Sequence, residues 1–178
     1  MSPTSTFIST PVLVQLLGCP FAKVWLALYT QPMRRLGIDL GTVRTGLAIA
    51  EPELHVATPL CTLQHRSMRE AVQAIAQLIA REGIDQVVVG LPLQLDGREG
   101  DAARRVRQFA RALTTETQVA LKLWDERLSS VAAQRSLQTQ GVRSARQRAM
   151  VDQVAATLLL QSFLDHVAGS SRTPQADP

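Results

Sequence analysis

Three acidic sites in this chain stand where an acid is costly, and the cost points to a metal. Asp39 ends the apolar run Leu36-Gly37-Ile38 and leads at once into Leu40-Gly41-Thr42, a strand that turns through glycine. A carboxylate at the end of a buried strand loses hydration, so it needs a cation, hydrogen-bond donors or an arginine to compensate it. Asp125-Glu126 close a second apolar run, Val119 to Trp124. Asp152 shares a helical face with Ala155, Ala156, Leu159, Phe163 and Val167, a spacing that turns it toward a sheet rather than solvent. Two such carboxylates brought to about 4 Å repel by roughly 4 kcal/mol at an effective dielectric near 20, so a cluster of them must bind protons or a cation. Oxygen donors without a Cys or His partner favour Mg²⁺ or Mn²⁺. Each residue also has an ordinary reading: Asp152 as a favourable charge near a helix N-terminus, Asp125 as a local partner of Arg127. Strand alternation leaves open whether Asp125 or Glu126 faces inward, with Glu126 preferred.

Phosphate-binding groups adjoin these acids. The turn Gly41-Thr42-Val43-Arg44-Thr45-Gly46 offers backbone donors, the Thr42 hydroxyl and the Arg44 guanidinium, although an ordinary hairpin turn has a similar make-up. Arg127 is next to Glu126, and Arg143, Arg146 and Arg148 precede Asp152, so all four are placed to meet a substrate backbone. Arg104, Arg107 and Arg111 form a helical stripe better read as a solvated face. His55, His65 and His166 are isolated in the sequence and read as structural. Aromatic residues make up 4% of the chain, too few for a base-stacking platform, so sequence-specific recognition is not expected.

The elements that must position these residues follow from periodicity. Leu36–Asp39, Gly46–Ala50 and Ala57–Leu63 read as three strands, the first two joined by a connection short enough for an antiparallel hairpin. Ser67-Met68-Arg69-Glu70 has capping-box spacing and opens a helix with Ala71, Val72, Ile75, Leu78 and Ile79 on its apolar stripe, ended by Gly83. A β-branched strand at Ile84–Val89, a helix at Ala102–Leu113, a fifth strand at Val119–Trp124 and helices at Ser129–Leu137 and Ala149–Val167 complete the pattern. The expected architecture is α/β: a mixed five-stranded sheet, an antiparallel three-strand meander plus two parallel strands, flanked by helices.

At 178 residues and 46% hydrophobic composition the chain suits one domain with a full core. It is mildly basic, with 19 Lys and Arg against 15 Asp and Glu, and all the basic residues except Lys23 and Lys122 are arginine. That bias suits bidentate phosphate contacts, and GC-rich coding explains it equally well. Cys19 and Cys61 make no disulfide framework or zinc spacing, so a reducing compartment, the cytoplasm, is expected. Residues 1–32 contain no acidic residue and fit neither a secretory signal nor a spanning helix. Translation is therefore expected to start at Met33, with the domain at 33–168 and a disordered tail at 169–178. No membrane association is expected, and a monomer and a homodimer are both open.

Four motifs carry a resemblance. Gly37-Ile38-Asp39-Leu40-Gly41-Thr42, Val87-Val88-Val89-Gly90-Leu91-Pro92 with Asp96-Gly97, Trp124-Asp125-Glu126-Arg127-Leu128 and Val151-Asp152-Gln153-Val154-Ala155-Ala156 occur in the order of the YqgF/RuvX family, which this chain resembles from about Met33 to Val167. The resemblance implies an RNase H-like fold and a metal-dependent nuclease, with Asp39, Glu126 and Asp152 as an acidic triad acting on precursor 16S rRNA. A Holliday junction resolvase is the alternative within the same resemblance, and a catalytically silent RNA-binding assembly factor that keeps the fold is a rival of another class. RuvC-type relatives carry an acid on the fourth strand where this chain has Gly90-Leu91-Pro92, a departure that bears on how many ions the site holds. An actin-like ATPase also uses an Asp-Leu-Gly-Thr turn, but closes two such domains around its nucleotide, and this chain has length for one.

Overall fold

The computed structural model describes residues 33–94, 96–125 and 145–170. Their elements run β1 (Arg35–Leu40), β2 (Arg44–Ala50), β3 (Ala57–Gln64), α1 (Met68–Glu82), β4 (Gln86–Leu91), α2 (Asp101–Thr117), β5 (Ala120–Asp125) and α3 (Ala145–Ser170). The strands form one sheet in the order β3-β2-β1-β4-β5. The pairs β1–β2 and β2–β3 are antiparallel, and β1–β4 and β4–β5 are parallel, as the sequence pattern predicts. The helix expected at Ser129–Leu137 lies outside the described residues, as does the tail beyond Ser170.

Strand alternation sorts the side chains onto two faces. Leu36, Ile38, Leu47, Ile49, Val87 and Val89 face α1 and α2, where Ile75, Leu78, Val106, Phe109 and Leu113 close the larger core. Ala48, Ala50 and Val88 face α3 and meet Ala155, Ala156, Leu159, Leu160, Phe163 and Leu164. Each fully buried aliphatic side chain contributes roughly 1.5–3 kcal/mol of hydrophobic stabilisation, so both layers hold the sheet.

Local chemistry sets the ends of α1 as expected. The Ser67 hydroxyl accepts from the Glu70 N–H at 3.2 Å, and a Glu70 carboxylate oxygen accepts from the Arg66 N–H at 2.8 Å. Gly83 closes the helix in the left-handed conformation with φ 61°. Two expectations shift. Arg44 and Thr45, read as turn residues, already belong to β2, since Thr45 sits opposite Leu40 of β1 and Arg44 opposite Gln64 of β3. The spacing puts Val167 on the buried face of the last helix, but it is 38% exposed and lies beyond Leu164, the last helix residue of the α3 core. No helix among the described residues is long and apolar enough to cross a membrane.

Candidate active site

One row of residues across three strands builds the site. Asp39 on β1 is opposite Gly46 on β2, and Gly46 is opposite Thr62 on β3. Directly opposed residues project to the same face, so all three belong to the face that carries α3. The Thr62 hydroxyl donates to the Ala149 carbonyl oxygen at 2.8 Å, tying β3 to the early part of that helix. Three residues on, the Asp152 carbonyl oxygen lies so close to Gly46 that a Cβ there would approach it to 1.9 Å. Only glycine permits this approach. Gly37 does the same one step along β1, where a Cβ would meet the Leu160 Cβ at 2.7 Å. The small residues of this face thus let the helix backbone settle on the strands, and the result is that Asp152 stands beside the strand position opposite Asp39.

The β1–β2 turn completes the site. The Gly41 N–H donates to the Arg44 carbonyl at 2.9 Å, leaving Thr42 and Val43 exposed at the tip. Arg44 shares strand parity with Gly46, and its Nε donates to Oδ2 of Asp152 at 2.8 Å. Both side chains are part-buried, at 31% and 23% exposure, so this charge-assisted bond is less screened than a surface pair. Two residues predicted for different tasks, a phosphate contact and a metal ligand, therefore touch.

At the far side of the sheet, Trp124 belongs to the α3 face: its ring meets Phe163 edge-on at 5.5 Å and its Nε1 donates to the Ser162 hydroxyl at 3.3 Å. Asp125 follows it and is opposite Leu91, a residue of the α1–α2 core. Parity therefore assigns Asp125 to the face away from Asp39 and Asp152. Glu126, Arg127 and Arg143 lie outside the described residues. Arg146 lies on the first turn of α3, and Arg148 is exposed a turn before Asp152.

The described donors suit a hard divalent cation in kind. Asp39 and Asp152 supply carboxylate oxygens on one face, and Mg²⁺ is commonly held by one or two carboxylates with water and substrate phosphate making up the rest. Among the described residues no three His, Cys, Asp or Glu side chains converge tightly enough to enclose an ion. Cys61 is no rival nucleophile: burial pushes its thiol pKa up, with nearby Arg81 lowering and Glu82 raising it to smaller extents.

His65 is the residue that sequence reasoning passed over. It is 7% exposed, its Nε2 is 3.0 Å from the Thr45 hydroxyl, and its backbone N–H donates to the Val43 carbonyl at 3.1 Å. It thereby braces the turn from the side opposite Asp152. Burial lowers its pKa, against a smaller upward pull from Glu70, which favours the neutral ring. The β2–β3 ladder, which sets Arg44 opposite Gln64, brings it there, and no local spacing announces it.

The arginine stripe of α2 is solvated, as expected. Arg104 is paired with Asp101 and Arg107 Nε donates to Glu99 at 2.7 Å, so local acids already answer its charge. The Arg107 hydrogen bond holds the Glu99 carboxyl below its ordinary pKa.

Comparison with known proteins supplies the family. The family model described as "RuvX: Holliday junction resolvase" matches residues 33–166. The chain belongs to the RuvX family. Among RuvX relatives, a protein of Chloroflexus aggregans named "Putative pre-16S rRNA nuclease" is 41% identical over 130 residues, covering 73% of this chain and 92% of its own length. A protein of Myxococcus xanthus with the same name is 40% identical over 145 residues, covering 82% and 93%. The structure of T. thermophilus RuvC in complex with a Holliday junction substrate superposes with a TM-score of 0.52 at 14% identity, covering 78% of this chain and 97% of that one. At that identity the likeness concerns the fold, which is the RNase H-like sheet of the RuvC resolvases.

Proposed function

We propose that this RuvX-family chain is a metal-dependent nuclease that hydrolyses phosphodiester bonds in precursor 16S rRNA, acting in the cytoplasm. The observation that supports the reading is the row Asp39, Gly46, Thr62, on which the backbone of α3 is seated so that Asp152 lies against Gly46, the residue opposite Asp39. Two carboxylates on one face repel where they converge, and a bound cation is what gives both a reason to stand there. The names of the relatives support rRNA as the substrate.

Asp39, Asp152 and Glu126 would hold Mg²⁺ or Mn²⁺, and the ion would supply Lewis acidity and an activated water for phosphodiester hydrolysis. Glu126 is preferred to Asp125 because Asp125 shares the parity of Leu91, away from α3. The protein's own groups bind and orient the strand. Thr42 and the backbone of the turn reach the phosphate from the exposed tip. Arg44 neutralises Asp152 at rest and turns to a substrate phosphate when that carboxylate is otherwise engaged. Arg127, Arg143, Arg146 and Arg148 extend the basic approach. Gly46 and Thr62 contact no substrate in this scheme and act by position.

Junction DNA is the second reading, favoured by the description of the family. The test is cleavage of a precursor 16S leader RNA and a four-way DNA junction by the full chain, with Mg²⁺, with Mn²⁺ and with chelator. Metal-dependent cutting of the RNA in preference to the junction is the expected result. Preferential cutting of the junction would make it a resolvase. Binding without cutting of either would make it a silent assembly factor.

A further inference from the structure

A cavity of about 720 Å³ opens beside the β1–β2 turn, lined by Val43, Arg44, Gln64, His65, Arg66 and Glu70. Arg44 belongs both to this cavity and to the ion pair with Asp152, so the cavity and the carboxylate site are separated by one side chain. Its volume is in the range of small-ligand pockets and accommodates one nucleotide unit.

One of its two arginines is not answered by an acid. Arg34, Arg81, Arg98, Arg104 and Arg107 each form an ion pair with a carboxylate. Among the described residues the exposed Arg66 guanidinium has no ion-pair or hydrogen-bond partner, although the Arg66 backbone N–H donates to Glu70. Glu70, the one acid on the wall, has its carboxylate engaged in that capping interaction, and Arg44 is paired with Asp152, which leaves Arg66 as the cation available to a ligand. A second group also lacks a partner. His65 is 7% exposed and its Nδ1 is buried without a hydrogen bond. Because Nε2 is occupied by Thr45, one donor or acceptor of the ring is unused in either tautomer. An unsatisfied buried polar atom is costly, and because His65 also lines the cavity, a small shift of the ring gives Nδ1 a ligand or solvent partner there.

We propose that this cavity binds the nucleotide next to the scissile phosphate, with Arg66 on its phosphodiester and Gln64 and His65 beside its sugar and base. The proposal rests on the nuclease reading and adds a subsite to it. Arg44 joins the two sites, so a single strand runs from the carboxylates over the turn and into the cavity. No aromatic residue lines it, so the recognition is of backbone, and the subsite tolerates any base.

The test is anisotropy of a fluorescent single-stranded leader RNA bound to the full chain in chelator, over a series of salt concentrations. Wild type, Arg66→Gln and the control Arg111→Gln, which changes an exposed arginine on α2, are compared after circular dichroism has established equal folding. Arg66→Gln is expected to weaken binding by about 5- to 10-fold and to lower the slope of log affinity against log salt by about 0.7, the value for one phosphate contact on a single strand. Arg111→Gln is expected to match wild type. Equal affinity and slope for Arg66→Gln and the control would overturn the subsite while leaving the nuclease reading standing. Failure of the wild type to bind any RNA or DNA would overturn both.

Discussion

The two faces of the sheet are built by opposite means. Toward α1 and α2 the strands present Leu36, Ile38, Leu47, Ile49, Val87 and Val89, large side chains that hold the helices off and fill the space between. Toward α3 they present Gly37, Gly46, Ala48 and Ala50, so little stands between strand and helix backbones that a methyl group at Gly46 would collide with the Asp152 carbonyl. The first face stores stability in apolar volume. The second gives up apolar volume for proximity, and proximity is what brings the Asp152 backbone onto the strand residue opposite Asp39. Stability and chemistry are thus separable in this fold, and substitutions on the two faces should separate them.

The largest expected effect on stability is on the packed face. Phe109 is fully buried, and Phe109→Ala should cost about 3–5 kcal/mol in denaturant unfolding. The molecules that remain folded at low temperature should cleave at nearly the wild-type rate. Gly46→Ala should show the reverse pattern. Overpacking costs about 1–3 kcal/mol, but a displacement near 1 Å at the site lowers cleavage by roughly 100-fold, so rate falls far more than stability. Comparable losses of rate in both variants would abolish the distinction between the faces.

Thr62→Val tests the same seat more gently. It removes the hydroxyl that donates to the Ala149 carbonyl, and should cost about 1 kcal/mol in unfolding with a several-fold loss of cleavage. The smallest effect is at His65. Its pKa in the folded chain is lowered by burial, so the unfolded chain binds the proton more readily. The stability it contributes is fully present above the ordinary histidine pKa and is lost as pH falls through the folded value. Unfolding of the wild type should therefore weaken on acidification below about pH 6.5 more than that of His65→Gln, which lacks the titrating ring. Parallel pH profiles for the two proteins would show that His65 does not report on the turn.

Much of this fold is legible in the residues because local signals and long-range packing agree. Ser67 with Glu70 and then Gly83 bound α1 through side-chain and left-handed caps that need no tertiary information. The alternation of Leu36 and Ile38 with Gly37 and Asp39 foretells which way Asp39 projects. The contacts that sequence reasoning missed are those closed by distant segments. Arg44 meets Asp152 across 108 residues, and Thr62 meets Ala149 across 87. His65 looks isolated until the ladder folds it against Thr45 twenty residues earlier. Glycine at 46 reads as the junction of turn and strand in the sequence, whereas its role is to admit the backbone of α3.

The central claim is that Asp39 and Asp152 act as one site. The most direct measurement is the leader-RNA cleavage rate in Mn²⁺ of Asp39→Asn, Asp152→Asn and the double variant, each with its unfolding midpoint. The account predicts that either single change abolishes cutting, that the double variant is no worse than the singles, and that all three remain folded. Cleavage at the wild-type rate in either single variant would contradict it.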